Sequence, residues 1–176
     1  MGTLVTRAEL FVEDLAAATI GATYNQYAHA PHLCERLARY LGRRRNARIL
    51  LVGEAAGYRG ARVSGLPFTS ERQLTGRGPA EATATVVRRV LAELELEREI
   101  LCWNVVPTHP GTESSNRRPT RTEIRAALPF LERLARDRRT LAVGRVAEAV
   151  TGAPYVRHPS HGGAAAFRAT LVECLS

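Results

Sequence analysis

Apolar residues recur at helical spacing from Tyr27 to Tyr40 and stop near Leu41-Gly42, which predicts a helix closed by a glycine. After Arg43-Arg44-Arg45, the run Ala47 to Val52 is short and apolar, the pattern of a strand buried on both faces. A Gly-rich loop follows from Gly53 to Gly78, and Pro79 opens a helix that reaches Leu94. The cycle then repeats. Glu99 to Trp103 predicts a second strand and Pro107 to Pro119 a loop rich in Pro, Gly, Ser and Asn. Thr120 with Glu123 forms a capping box before a helix that reaches Arg136. Leu141 to Gly144 predicts a third strand, Val146 to Val150 a short helix, Pro154 to Arg157 a fourth strand and Ala164 to Leu175 a closing helix. No element is assigned before Tyr27.

Strands separated by helical segments of this length imply βαβ units and a sheet covered on both faces. The expected fold is a three-layer α/β/α sandwich around a central, mostly parallel four-stranded sheet, with residues 1–176 as one domain. No apolar run is long enough to cross a bilayer. Met1 to Val5 lacks the basic-then-apolar order of a secretory signal, so a cytoplasmic location is expected. Cys34, Cys102 and Cys174 lie far apart in the sequence, which argues against a disulfide framework and a four-thiolate metal site. The net charge is +8 and every basic residue is arginine, which favours a polyanionic partner, although an arginine-only composition also follows from genomic base composition.

In parallel sheets, chemistry sits beyond the carboxyl ends of the strands, where neighbouring loops converge. That rule selects Gly53 to Glu71, Asn104 to Arg118 and His158 to Gly163. Glycines in the first stretch let backbone approach a ligand closely, but there is no Gly-Lys-Ser/Thr phosphate loop and no GxGxxG opening a helix. Asn104 offers a carboxamide that is both donor and acceptor, matching the edge of uracil; a lone Asn also initiates turns or caps helices. Arg117 and Arg118 stand beside a helix start, which suits phosphate binding or plain solvation. In His158-Pro159-Ser160-His161-Gly162-Gly163, a histidine can donate to an oxygen gaining charge and Ser160 can bind a phosphate, although such a turn is often only structural.

Taken together and in this order, the three stretches resemble the uracil-DNA glycosylase superfamily. Gly53-Glu54-Ala55-Ala56-Gly57 is similar to the Gly-Glu-Ala-Pro-Gly loop of the thermophile-type (family 4) branch, and Gly65-Leu66-Pro67-Phe68 to its Gly-x-Pro-Phe segment. Asn104-Val105-Val106, followed by Asn116-Arg117-Arg118-Pro119-Thr120 and a helix carrying Glu123-Ile124, resembles the same branch. The resemblance runs from about Arg48 to Gly163.

The resemblance implies that the chain excises uracil from single- or double-stranded DNA as a monomer, without a metal or organic cofactor. It implies that Phe68 stacks on the flipped base, Asn104 reads its edge and His158 donates to O2. Glu54 would orient water or stabilise positive charge on the sugar, and Gly53, Ala55, Gly57 and Tyr58 would line the base pocket. Arg59, Arg117, Arg118, Ser160, His161 and Gly162 would contact DNA.

The chain also departs from the branch. Family 4 enzymes hold an iron–sulfur cluster on four cysteines, whereas this chain has three in other positions, so no cluster is expected. Ala55 stands where many relatives carry a water-activating Asp, and His161 with two glycines where other branches carry an apolar wedge. Gly57 leaves no side chain to exclude a thymine methyl, a duty open to Tyr58. Other readings are a glycosylase for hypoxanthine, xanthine or mismatched thymine, a silent DNA-binding relative, and a nucleotide-binding enzyme.

Overall fold

A computed structural model describes residues 6–176; the stretch Met1 to Val5, with its expectation of no secretory signal, lies outside them. Four strands form the core of the fold: β1 (Ile49–Ala55), β2 (Ile100–Val106), β3 (Arg139–Val143) and β4 (Tyr155–Val156). Their spatial order is β2-β1-β3-β4 and every pairing is parallel. The helices are α1 (Arg7–Ala17), α2 (Gln26–His29), α3 (Pro31–Arg43), α4 (Ala61–Ser64), α5 (Glu71–Thr75), α6 (Ala82–Glu93), α7 (Arg121–Ala135), α8 (Arg145–Thr151) and α9 (Ala164–Leu175). No helix among the described residues is long and apolar enough to cross a membrane.

Alternation along the strands divides the core into two layers. Leu50, Val52, Leu101 and Trp103 face one side with Phe11, Leu37 and Phe130; Leu51, Ile100, Cys102 and Leu141 face the other with Val87, Leu91 and Phe167. The expected three-layer architecture is therefore present, with a sheet that is wholly parallel. β2 is an edge strand, and the buried Tyr40 hydroxyl accepts from the Cys102 N–H at 2.8 Å. That contact satisfies an edge donor that would otherwise lack a partner.

Several boundaries differ from the sequence pattern. The first predicted helix is two helices, because Pro31 lacks an N–H and pushes Ala30 to an extended conformation (φ −139°, ψ 90°). Pro79 lies outside α6, because the backbone stays extended through the N-cap Glu81 (φ −119°, ψ 125°). The Gly-rich stretch contains α4 and α5, too short to show a period. β1 and β2 continue three residues beyond the predicted ends, so Gly53, Glu54 and Asn104 belong to strands rather than loops. The ladder continues because Gly53 pairs with Asn104 and Ala55 with Val106, whatever their hydropathy. α1, which had no prediction, starts at a Thr6–Glu9 capping box and lays Phe11 edge-on to Trp103, with centroids 5.6 Å apart at 72°.

The predicted capping box of α7 carries more than a cap. Thr120 Oγ1 accepts from the Glu123 N–H and the Thr120 N–H donates to Glu123 Oε2. Arg117 adds a two-pronged pair to the same carboxylate at 2.6 and 2.8 Å. Glu123 is 1% exposed, and the Arg117 guanidinium and the Thr120 amide hold its pKa down at about 2. A depressed carboxylate stabilises the fold above its unfolded pKa, and the contribution is lost as pH falls toward the folded value. Glu123→Gln should cost about 1–2 kcal/mol at neutral pH, discounted for the half-exposed arginine. Urea unfolding should show the gap between variant and wild type closing as pH falls from about 4.5 to the folded pKa of about 2.

Candidate active site

A cavity of about 230 Å³ opens at the carboxyl ends of β1 and β2 and is closed from the side by the segment after β4. Its wall includes Glu54, Ala55, Gly57, Phe68, Asn104 and His158. A larger hollow of about 850 Å³ lies at the opposite end, around Arg48, Leu101 and Arg138. Arg138 is spent there on the Ala47 and Leu134 carbonyls, and the hollow holds no such convergence of an acid, an amide and an imidazole.

The parallel register sets the first two groups. Gly53 stands opposite Asn104, which is 5% exposed, and Glu54 follows on the same strand. A Cβ at Gly53 would lie 2.5 Å from the Phe68 ring and 2.8 Å from Asn104 Oδ1, so the bare glycine is what lets ring and carboxamide close over the strand. No protein group among the described residues hydrogen-bonds the Asn104 carboxamide, which leaves its donors and acceptor to a ligand. Glu54 is half-buried; burial raises its pKa and the nearby Arg118 charge opposes the rise.

Phe68 has φ +48°, an unfavourable backbone for a bulky residue that surrounding contacts must enforce. Arg88 on α6 supplies them, donating from Nε to the Phe68 carbonyl (3.2 Å) and from its terminal nitrogen to the Pro67 carbonyl and Thr69 hydroxyl. Ser64 Oγ adds a bond to the Thr69 carbonyl at 2.6 Å.

His158 is set by its own turn. The Ser160 backbone N–H, which can only donate, points at Nδ1 (3.2 Å), and the Ser160 hydroxyl lies 2.8 Å from the same atom. Nδ1 is therefore an acceptor and the neutral ring carries its proton on Nε2. Burial first, then the charges of Arg157 and His161, lower the His158 pKa, which favours that neutral ring.

The remaining predicted residues stand around this wall. Tyr58 and Arg59 sit beside it, with the guanidinium over the phenol ring at 5.3 Å. The Tyr58 N–H donates to Asn116 Oδ1, which fixes the first loop to the second. Arg117 lines the cavity but is committed to Glu123, and Arg118 is exposed near Glu54. Ser160 braces His158, while His161 (φ +53°) and Gly162 (φ +73°) form an exposed turn. The sequence pattern did not reveal Glu81, Thr83 and Asn116 as wall residues, nor His109. The ring nitrogens of His109 lie 2.7 Å from the Ala56 and Thr112 carbonyl oxygens and bind the two loops together. The PTHP segment that holds His109 read only as a loop, and Glu81 joins the wall from a distant helix start without a local motif. Cys34, Cys102 and Cys174 sit on α3, β2 and α9, and no group of three metal-binding side chains occurs among the described residues, so the chain does not fit an iron–sulfur cluster.

The carboxyl ends of a parallel sheet thus bring Glu54, Asn104 and His158 around one small cavity. The chain belongs to the uracil DNA glycosylase superfamily, whose family model matches residues 40–172, well over half of its length. Among solved structures it is similar to wild-type SMUG2 of Pedobacter heparinus, at 13% identity and a TM-score of 0.71, over 99% of this chain and 97% of that one. It is also similar to wild-type UNG of Nitratifractor salsuginis, at 16% identity and a TM-score of 0.50, again over 99% and 97%. No curated protein matches the chain. At these identities the likeness shows the fold, and the family model shows the family.

Gly53→Ala should displace Phe68 and Asn104 together. Thermal unfolding should report a loss of about 1–3 kcal/mol, the usual effect of overpacking.

Proposed function

We propose that this protein is a monofunctional DNA glycosylase that flips uracil out of DNA and hydrolyses its N-glycosidic bond, leaving an abasic site. The observation that carries the reading is the convergence of an unpartnered Asn104 carboxamide, the Phe68 ring, the His158 Nε2–H and the Glu54 carboxyl on one cavity.

Breaking the bond to the base leaves positive charge on the deoxyribose and negative charge on the departing base. Phe68 stacks on the extruded ring, and Asn104 donates to a carbonyl while accepting from N3–H. His158 donates from Nε2 to O2 as that oxygen gains charge, a contact worth a few kcal/mol when the donor is fixed in advance. The base leaves with the bonding electrons. Water then adds its oxygen to C1′ of the sugar and gives up a proton, which passes through solvent to the departed base anion, with Glu54 orienting the water and offsetting the sugar's charge. Extrusion costs a few kcal/mol, and contacts from the arginine-rich surface to backbone phosphates offset that cost. Arg59, whose guanidinium lies over Tyr58, and Arg118, exposed near Glu54, keep hydrogen-bond donors for phosphates, and the Ser160–Gly162 turn offers further donors. Membership of the uracil DNA glycosylase superfamily supports DNA as the partner.

The test is excision from a labelled oligonucleotide holding one uracil, single-stranded or opposite A or G, followed by alkaline cleavage. Asn104→Ala should lower the rate more than 10-fold, roughly 1.4 kcal/mol or more. His158→Ala should slow the chemical step more than it weakens binding to undamaged DNA. Full activity in the Asn104 variant would remove that residue from the site. Salt-sensitive DNA binding with no cleavage would instead favour a silent binding protein or another damaged base.

A further inference from the structure

Glu81 is the N-cap residue of α6, yet its side chain makes no capping bond. The carboxyl turns instead to the loop after β1. A Cβ at Gly57 would lie 2.1 Å from Oε1 and one at Gly60 2.2 Å from Oε2. The Glu81 carboxyl therefore occupies the space that a side chain at either glycine would fill. It forms part of the same cavity wall as Phe68, Asn104 and His158.

No protein group satisfies this carboxyl: among the described residues it has neither a hydrogen bond nor an ion pair. The neighbouring arginines are directed at groups other than Glu81. Arg59 lies over Tyr58, Arg62 donates to Glu113, Arg88 holds the Phe68 turn and Arg117 holds Glu123. The other titratable groups on the wall are Glu54 and His158. Arg118 opposes the rise at Glu54, whereas burial raises the pKa of Glu81, and no ion pair to Glu81 forms among the described residues. An unpaired carboxylate here would lose solvation and would repel the negative charge that a base acquires as it departs. Protonation removes both penalties and turns an acceptor-only group into an O–H donor.

We infer that Glu81 is a specificity-determining residue of the base pocket, a neutral carboxylic acid that donates a hydrogen bond to a carbonyl of the extruded base. The inference rests on the base-excision reading above. Its substrate class follows from chemistry. Deamination replaces an exocyclic amino group, a donor, by a carbonyl, an acceptor, so uracil and hypoxanthine offer Glu81 what cytosine and adenine do not.

Single-turnover excision of uracil and hypoxanthine by the full chain tests this, with Glu81→Gln and Glu81→Ala followed from mildly acidic to alkaline pH. The amide keeps a donor in place, so Glu81→Gln should stay within about 3-fold of wild type at neutral pH on its preferred base. It should also lose less activity than wild type as pH rises, because only wild type gains a charge at this position. Glu81→Ala should fall more than about 10-fold throughout, with unchanged thermal unfolding. A merely structural role would move the unfolding temperature and leave the alkaline limb in place. Glu81→Gln as slow as Glu81→Ala would overturn the inference alone, because an ionised carboxylate would then be required. So would wild-type rates and pH profiles in both variants. A wild-type protein that excises neither base overturns the base-excision reading and the inference with it.

Discussion

Gly53 stands opposite Asn104 in the parallel ladder, and no side chain fits above it. The site depends on this close approach. It brings the Phe68 ring and the Asn104 carboxamide onto the strand, and Glu54 follows on the next residue. The Phe68 turn reaches that position only through a left-handed backbone, held by Arg88 and Ser64. Strain at Phe68 is thus offset by bonds from the helix whose N-cap is Glu81.

Charge is distributed by the same logic. Acids that serve the scaffold are paired: Glu123 with Arg117 and Thr120, and Glu71 with Arg36 at 2.7 Å across α5 and α3. The two acids on the cavity wall, Glu54 and Glu81, make no such pairs, and burial raises the pKa of both. Unpaired acids facing a cavity cost stability that only a ligand or a reaction recovers. Arg117 belongs with the scaffold acids despite lining the cavity.

The fold was legible because buried parallel strands leave short apolar runs, as in Ala47 to Val52, and amphipathic helices leave a helical period, as from Leu33 to Tyr40. Asn104 and His158 could be found because the site of a parallel sheet lies at strand ends, even though Asn104 proved to be inside its strand. Four features were not legible. The Ala30-Pro31 break hid inside a continuous apolar period, and α1 had no flanking signal apart from Thr6 and Glu9. Glu81 reaches the pocket through tertiary packing against Gly57 and Gly60, more than 20 residues earlier in the sequence, and no local spacing encodes that contact. His109 is invisible for the same reason, since its partners are backbone carbonyls.

The central claim is hydrolytic release of an extruded base by this cavity. The most direct measurement incubates the protein with a uracil-containing oligonucleotide in ¹⁸O-labelled water and follows both products by mass spectrometry. The account predicts free, unlabelled uracil in one-to-one ratio with an abasic strand that carries the heavy oxygen at C1′. Intact DNA, or a strand that remains covalently attached to the protein, would contradict it.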